Sequence, residues 1–324
     1  MSTATAVPLT FELEGDDARA TLKRVGRGRL FRESFERFRA ADGFSHARAL
    51  AFQIVLAAFP ALIAVVGLTV DLDQQNLRQL IQETLQGIAP GPAGEILTQA
   101  FRQGSDAADN SSTAILVGVA AALIAATGAM GQIERGANRI YGIESDRSTL
   151  KKYATAFILA VTVGVLILLA FVLFIGGSAV EDAGVATGWS DTVVTIWEIV
   201  RWPVVLVLVL AGFALLFKYA PRRRQPSMSW LSSGAAVTIA SWFAFTGLLS
   251  LYLTASKSFG ETYGPLAGII GLLLWALLTS LAVFFGLAFS AQLEAIRAGV
   301  ATPTTEQVAH SSPGVDPTTA NSPL

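Results

Sequence analysis

Charged side chains are missing from six long stretches of the chain, and this alternation of apolar and charged segments predicts the fold. The stretches contain no Asp, Glu, Lys, Arg or His, and most are as long as the roughly 20 residues that a helix needs to cross the apolar layer of a bilayer. They run over 49–70, 113–130, 153–177, 203–217, 230–254 and 264–293. The pattern therefore predicts an all-α, polytopic membrane protein with six transmembrane helices, at about 44–70, 112–130, 153–177, 195–218, 230–254 and 264–293.

The fourth uncharged stretch is too short to cross the bilayer alone. Residues 203–217 cover only ~22 Å of an apolar layer about 30 Å thick, so the helix must begin near residue 195 on the outer side. This extension places Glu198 and Arg201 at the outer margin of the apolar layer. Because these two residues are three apart, they share one helix face and can form an ion pair.

The segments around the spans divide the rest of the chain. Residues 18–43 form a predicted amphipathic cytoplasmic helix, because Phe31, Phe35 and Phe38 recur at helical spacing among arginines. We expect it to anchor the topology through attraction to anionic lipid, with partner binding as the alternative. An outer helical hairpin is predicted between spans 1 and 2, and 44–294 form the transmembrane domain. Polar composition predicts disorder in 1–17 and in the cytoplasmic tail 295–324.

Lysine and arginine fall on alternate connections. Nineteen lie in the N-terminal segment through Arg48, in connections 131–152 and 218–229, and in the tail, whereas the other connections hold four: Arg78, Arg102, Arg201 and Lys257. The positive-inside rule then places both termini in the cytoplasm. The overall composition agrees with membrane residence, because only 15 % of residues are charged against roughly 25 % in soluble domains.

The residues available for chemistry are few. The chain has no cysteine and two histidines, His46 and His310, which excludes thiol chemistry and multi-histidine metal sites. No H-E-x-x-H, P-loop or G-x-S-x-G motif occurs. We therefore expect no enzymatic activity, no metal, no cofactor and no nucleic-acid partner. The span interiors also lack the Asp, Glu or His on which proton-coupled transport usually depends.

The candidate ligand-binding residues therefore lie mostly at the rims of the bundle. We select Glu198 and Arg201 for an anionic group, with an interfacial arginine anchor as the alternative. Gln53 is a polar residue inside span 1. The remaining candidates are Arg135 and Arg139 at the cytoplasmic end of span 2, and Tyr252, Lys257 and Tyr263 near the outer connection between spans 5 and 6. The alternative for the end of span 2 is a solvated interfacial helix, and the alternative for the outer connection is a simple loop.

Helix kinks are predicted at Pro60, Pro203 and Pro265.

The order of several features resembles one known family. These features are Ala49, Ala51, Phe59 and Pro60, then Gly128 and Asn138-Arg139-Ile140-Tyr141, then Arg201-Trp202-Pro203, Tyr219-Ala220-Pro221, Trp230, Gly234, Trp242, Tyr252, Tyr263-Gly264 and Trp275. Over about 30–296 the chain resembles the YihY/BrkB family of bacterial inner-membrane proteins. The resemblance implies six helices and an association with virulence, serum resistance and envelope or lipid export.

Two properties of that family need separate treatment in this chain. The family has carried a ribonuclease BN label, but this chain lacks the ligands that a metal-dependent nuclease needs. The family also commonly has an acidic residue near the end of span 6, at the position where this chain has Ala288. Any coupling by that carboxylate is missing here unless Ser290, Gln292 or Glu294 replaces it.

These observations lead to two functional hypotheses. The first is a transporter-like or flippase-like protein of the bacterial cytoplasmic (inner) membrane that acts on an amphiphilic, anionic envelope component. The alternative is a structural or regulatory envelope protein that binds lipids or partner helices and transports nothing. Both hypotheses have membrane lipids as partners. Both also allow a homo-oligomer, because small residues such as Gly118 and Gly268 can pack within one chain or between chains.

Overall fold

The fold was examined in a computed structural model, which describes residues 4–10, 12–67, 74–110, 112–186, 188–256, 258–300 and 303. All regular structure in these residues is helical. The helices are α1 (Gly15–Val25), α2 (Arg27–Ala40), α3 (Gly43–Gly67), α4 (Gln74–Ile88), α5 (Pro92–Asn110), α6 (Ser112–Ile140), α7 (Thr149–Ala186), α8 (Asp191–Tyr219), α9 (Met228–Ala255), α10 (Ser258–Tyr263) and α11 (Ala267–Arg297).

Six of these helices are long and apolar enough to cross a membrane. They are α3, α6, α7, α8, α9 and α11. This result confirms the predicted all-α protein with six transmembrane helices and an intervening hairpin, α4 and α5. The fourth span begins at Asp191 and therefore includes Glu198 and Arg201 within one continuous helix.

The six spans follow one another around a ring. Each of α3, α6, α7, α8 and α9 packs against the span that follows it, and α11 closes the ring by packing against both α9 and α3. The last span also contacts α2 and α5. This position makes α11 the most buried span, because every residue from Ala282 to Ala295 is buried.

The two ends of the bundle differ in charge and in packing. We call the end with α2, the start of α3 and the end of α11 the basic end, and the end with α4 and α5 the hairpin end. In α8 every buried residue lies between Gly212 and Phe217, near the basic end. In α9 only Leu249 is buried beyond Thr238. Burial in these two helices is therefore concentrated at the basic end, and most side chains in their hairpin halves are half-buried or exposed.

Glycines allow α9 and α11 to approach closely near the basic end. A Cβ atom on Gly286 would collide with Thr238 Oγ1 and would lie 2.6 Å from the Gly234 carbonyl oxygen. A Cβ atom on Gly234 would likewise collide with Ser290 Oγ. Small residues at such crossings allow helix backbones to make close van der Waals contact, which drives helix association in lipid.

The hairpin forms a second, smaller core against α3 and α11. Gly91 adopts a φ of 55°, and Pro92 begins α5, a position where proline loses no helical hydrogen bond. Buried apolar residues of α4 and α5 pack together with Leu62 and Leu272 from the spans. The Ala93 nitrogen lies 3.3 Å from the position of a Cβ atom on Gly271, so α5 lies directly on α11.

The structure corrects the prediction for the N-terminal segment. Disorder was predicted for 1–17, but residues 4–10 and 12–14 form a segment without regular structure that packs on the bundle, and Ala4, Val7 and Leu13 are buried. The single helix predicted over 18–43 is two helices, α1 and α2. They are separated at Gly26, where a φ of 83° is accessible mainly to glycine.

Other boundary predictions have mixed outcomes. Pro60 and Pro203 lie inside α3 and α8 as expected. Pro265 does not kink a span, because it lies in a 3₁₀ turn, Gly264–Leu266, before α11 begins. The helix also runs to Arg297, beyond the predicted end of the domain, and the tail residue Pro303 is buried. The rest of the tail from 304 onward lies outside the described residues.

Candidate functional site

A buried polar cluster occupies the basic end, and Arg37 of α2 is at its centre. The Arg37 side chain is fully buried. Its Nε donates to Gln292 Oε1 at 2.7 Å, and its Nη1 donates to the Thr5 and Ile140 carbonyl oxygens at 2.9 and 3.0 Å. Burial lowers the pKa of Arg37 to about 10, so the guanidinium remains charged at neutral pH. Arg37 thereby joins α2, α6, α11 and the N-terminal segment.

Glu294 of α11 provides a second buried anchor for the N-terminal segment. Arg223 donates to Glu294 Oε1 at 2.5 Å, and Thr10 donates to the same oxygen. Arg223 also donates to the Val7 and Pro8 carbonyl oxygens at 2.9 and 3.0 Å. Two partners on distant parts of the chain, Arg223 and Glu294, thus hold 7–10 across the end of the bundle.

The connections beside this cluster are held by ion pairs and hydrogen bonds. Asn138 donates to Asp146 at 3.0 Å and accepts from the Arg222 backbone nitrogen at 2.8 Å. Lys152 pairs with Asp146 at 3.3 Å, and Arg147 pairs with the buried Glu134 at 3.2 Å. Burial raises the pKa of Asp146, but the hydrogen bond from Asn138 and the charge of Lys152 outweigh it, and the pKa is lowered overall.

Some buried polar atoms in this region have no hydrogen-bond partner within the described residues. They include Arg37 Nη2, Glu294 Oε2 and the Trp230 indole nitrogen. Buried polar atoms in proteins are normally satisfied by protein groups or by ordered water. The cluster therefore has the capacity to bind water or a small polar group, and its described ion pair is that of Arg223 with Glu294.

The hairpin-end residues Glu198 and Arg201 do not form the expected ion pair. Both residues are described, and no ion pair joins them there. Arg201 lies over the Trp202 ring at 5.6 Å, and its buried Nε has no hydrogen-bond partner. Arg201 is three turns from Gly212, which contacts Ile167 of α7, so the two share the helix face directed at α7. Trp202 itself packs edge-on against Phe174.

The other candidate residues lie in separate places. Gln53 is half-buried on α3, where the missing side chain of Gly128 on α6 leaves space for its amide. Tyr252 and Tyr263 come together around Phe259, with ring centroids 6.2 and 4.9 Å from it. Lys257 lies outside the described residues. The structure thus brings the two tyrosines together and leaves Gln53 and Arg201 on different helix pairs.

Arg135 and Arg139 at the end of α6 differ in environment. Arg135 is exposed. Arg139 donates to the Ile143 and Glu144 carbonyl oxygens at 3.0 and 2.7 Å, which stabilises the connection after the helix. At least part of the hydrogen-bonding capacity of Arg139 is therefore used within the chain.

Sequence reasoning missed two main residues of the basic end, Arg37 and Arg223, and named Asn138 only within the family pattern. One signal was present, because Arg37 lies on the same face of α2 as Leu30, Ser34 and Phe38, all of them buried. Gln292 and Glu294 were considered only as replacements for the acid missing at Ala288. Ala288 is fully buried, and Gln292 lies one helical turn beyond it on the same face.

Two clefts in the described residues provide possible binding surfaces. One, of about 630 Å³, lies along α2. The other, of about 180 Å³, lies between α4 and α5 and is lined by polar residues including Glu95 and Arg102. Neither cleft is lined by Gln53 or Arg201. No group of three or more His, Asp or Glu side chains suited to a metal ion was found in the described parts of the chain.

Comparison with known proteins gives a family match over most of the chain. The family model described as virulence factor BrkB matches residues 34–310. A ribonuclease-like protein of Bacillus subtilis, YfkH, is 28 % identical over 261 residues, which are 79 % of this chain and 92 % of that protein. A UPF0761 membrane protein of Azoarcus is 27 % identical over 265 residues, 80 % of this chain. The match spans only 62 % of the Azoarcus protein. No solved structure matches the chain.

Proposed function

The chain belongs to the BrkB virulence-factor family and is an integral membrane protein, and from that premise we propose a transporter-like or flippase-like function. The substrate class is an amphiphilic, anionic component of the bacterial envelope. We further propose that the protein lies in the cytoplasmic membrane with its basic end toward the cytoplasm, because lysine and arginine are retained on that side. The protein has no catalytic role in this proposal.

The observation that supports transport is the difference in packing between the two ends. The basic end is closed by the fully buried segment 282–295 of α11 and by the N-terminal segment. In the hairpin halves of α8 and α9 few residues are buried. A carrier that alternates between two access states is closed at one end and loosely packed at the other in each state.

Arg201 supplies a reason for selecting anionic substrates. It is a cation within a membrane span, and such residues usually face a partner or a pathway. Its Nε is buried beside α7 without a hydrogen-bond partner in the described residues. An anionic headgroup that enters between the hairpin halves of α7 and α8 would provide this partner. The acyl chains would remain beside exposed apolar residues such as Val204 and Val207.

The test is translocation of labelled phosphatidylglycerol in liposomes that contain the purified protein. We expect movement faster than in empty liposomes and about tenfold slower movement for Arg201→Gln, equivalent to ~1.4 kcal/mol of lost interaction. Arg39→Gln, which changes an exposed arginine of α2 that lines neither cleft, is the control and should leave the rate unchanged. Rates equal to those of empty liposomes, across several anionic lipids, would reject transport.

The second candidate function is a structural or regulatory protein that binds lipids and moves nothing. It is favoured by the close packing of small residues between neighbouring spans. Close contacts at Gly128 and Gly286 also fill the space between neighbouring helices. The same liposome experiment separates the candidates, because this protein would retain lipid during purification and leave the translocation rate at background.

A further inference from the structure

The cleft along α2 combines a basic rim with an apolar wall. It has a volume of about 630 Å³ and is lined by Arg27, Gly28, Phe31, Arg32 and Phe35. Gly28 carries no side chain and faces open space, because no atom lies within 4 Å of the position where its Cβ would be, and we call this open position the notch. The Phe31 and Phe35 side chains are 53 % and 43 % exposed, which is unusual for phenylalanine unless lipid or a ligand covers it.

The cleft adjoins the surface that faces the bilayer. The Phe31 ring lies 4.8 Å from the ring of Phe285 in α11, and the Phe35 ring lies 6.3 Å from that of Phe44 at the start of α3. Both neighbours belong to transmembrane helices. A molecule over Phe31 and Phe35 can therefore keep its apolar part in the membrane while its polar part meets the rim of the cleft.

The rim of the cleft is positively charged and therefore favours an anionic polar group. Arg27 is exposed, and no ion pair of Arg27 occurs within the described residues. Arg32 has an acidic neighbour, Glu36, at 3.8 Å, and the two side chains are 75 % and 39 % exposed. Pairs of this kind contribute little, so Arg32 is available to a stronger anion. The neighbouring acid Glu33 is turned inward, where Arg29 and Gln292 donate to it.

We infer that the α2 cleft is a binding site for one anionic phospholipid. Its phosphate lies between Arg27 and Arg32, and one acyl chain passes over Gly28 along Phe31 and Phe35. Two arginines and a phosphate form charge-assisted hydrogen bonds that a zwitterionic headgroup weakens through its own cation. The site goes beyond the proposed function, since it binds lipid at the basic end whether or not the protein transports anything.

Retention of lipid, measured by native mass spectrometry, tests this site without any transport. The protein is extracted from vesicles of equal parts phosphatidylglycerol and phosphatidylcholine, and the bound lipids are counted. We expect one phosphatidylglycerol to be retained in preference to phosphatidylcholine. Arg27→Gln/Arg32→Gln should weaken its binding about 30-fold, or ~2 kcal/mol at roughly 1 kcal/mol per arginine.

Two further variants separate a defined site from general attraction to a negative surface. Arg19→Gln/Arg39→Gln removes the same charge from exposed positions outside the cleft and should retain the lipid. Gly28→Leu fills the notch without changing charge and favours the helix, so it should fold and lose the lipid. Equal loss in the control and the Arg27/Arg32 variant, or full retention in Gly28→Leu, would overturn the assignment.

Discussion

Arg37 is a residue whose importance depends on burial. A surface arginine on an amphipathic helix contributes little to stability, but Arg37 is fully buried and donates to three acceptors on three other segments. In Arg37→Met the chain keeps a side chain of similar length, whereas Gln292, Thr5 and Ile140 lose their donor. Leaving buried acceptors unsatisfied costs about 1–3 kcal/mol. We expect a corresponding fall in the thermal unfolding midpoint in detergent.

The neighbouring exposed residue Arg39 provides the control for this prediction. It lies on the same helix and carries the same charge but is exposed. Arg39→Met should change the free energy of unfolding by no more than about 0.5 kcal/mol. Equal effects of the two substitutions would mean that the buried hydrogen bonds of Arg37 contribute nothing specific.

Asp146 makes the stability of the basic end depend on pH in the acid range. Its pKa is lowered, so its contribution to stability is present above the pKa of the unfolded chain, ordinarily about 3.9, and is lost as pH falls through the lower folded value. Asp146→Asn should therefore lower the unfolding midpoint at neutral pH. The difference from the unchanged protein should shrink as the pH falls below about 4 and disappear below the lowered pKa of the folded state.

The control for Asp146 is Asp16, whose side chain is 97 % exposed and makes only a loose pair with Arg19. Asp16→Asn should leave the midpoint nearly unchanged from neutral pH to acid. If the difference for Asp146→Asn persisted unchanged in acid, its charge would not be the source of the stabilisation.

At the scale of elements, the transmembrane helices and the hairpin were predictable from the sequence, and the N-terminal segment was not. A span is encoded locally, because some 20 residues without charge suffice to predict it. The N-terminal segment is different. Its sequence is polar, and it is ordered by Arg37 and Arg223, the second more than 200 residues away. The candidate site was missed for the same reason, since a buried polar cluster consists of residues that are individually typical of exposed connections.

The close contact between α9 and α11 can be tested by adding one methyl group at a glycine. Gly286→Ala would place a Cβ atom against Thr238 and 2.6 Å from the Gly234 carbonyl oxygen. Overpacking of this kind costs about 1–3 kcal/mol, so we expect a lower unfolding midpoint in detergent.

Gly247 is the matched control, because it lies in α9 and has no atom within 4 Å of its Cβ position. Gly247→Ala should leave stability unchanged or raise it by up to about 1 kcal/mol through helix propensity. A midpoint for Gly286→Ala as high as that for Gly247→Ala would show that the helices can separate without cost.

At the scale of the whole molecule, the two ends should lie on opposite sides of the membrane. The chain contains no cysteine, so one introduced cysteine is the only thiol that a membrane-impermeant reagent can modify. Ser148→Cys marks an exposed position at the basic end, and Gln99→Cys marks an exposed position on the hairpin. The excess of arginine and lysine at the basic end predicts its retention in the cytoplasm.

We therefore expect the reagent to modify Gln99→Cys in intact spheroplasts and Ser148→Cys only in inverted vesicles. Both cysteines should react after detergent solubilisation, which controls for local accessibility. The reverse pattern would place the α2 cleft in the outer leaflet, where the same phospholipid site would face the periplasm. Modification of both in spheroplasts would contradict the six-span topology itself, because one span, α6, separates the two positions and places them on opposite sides of the membrane.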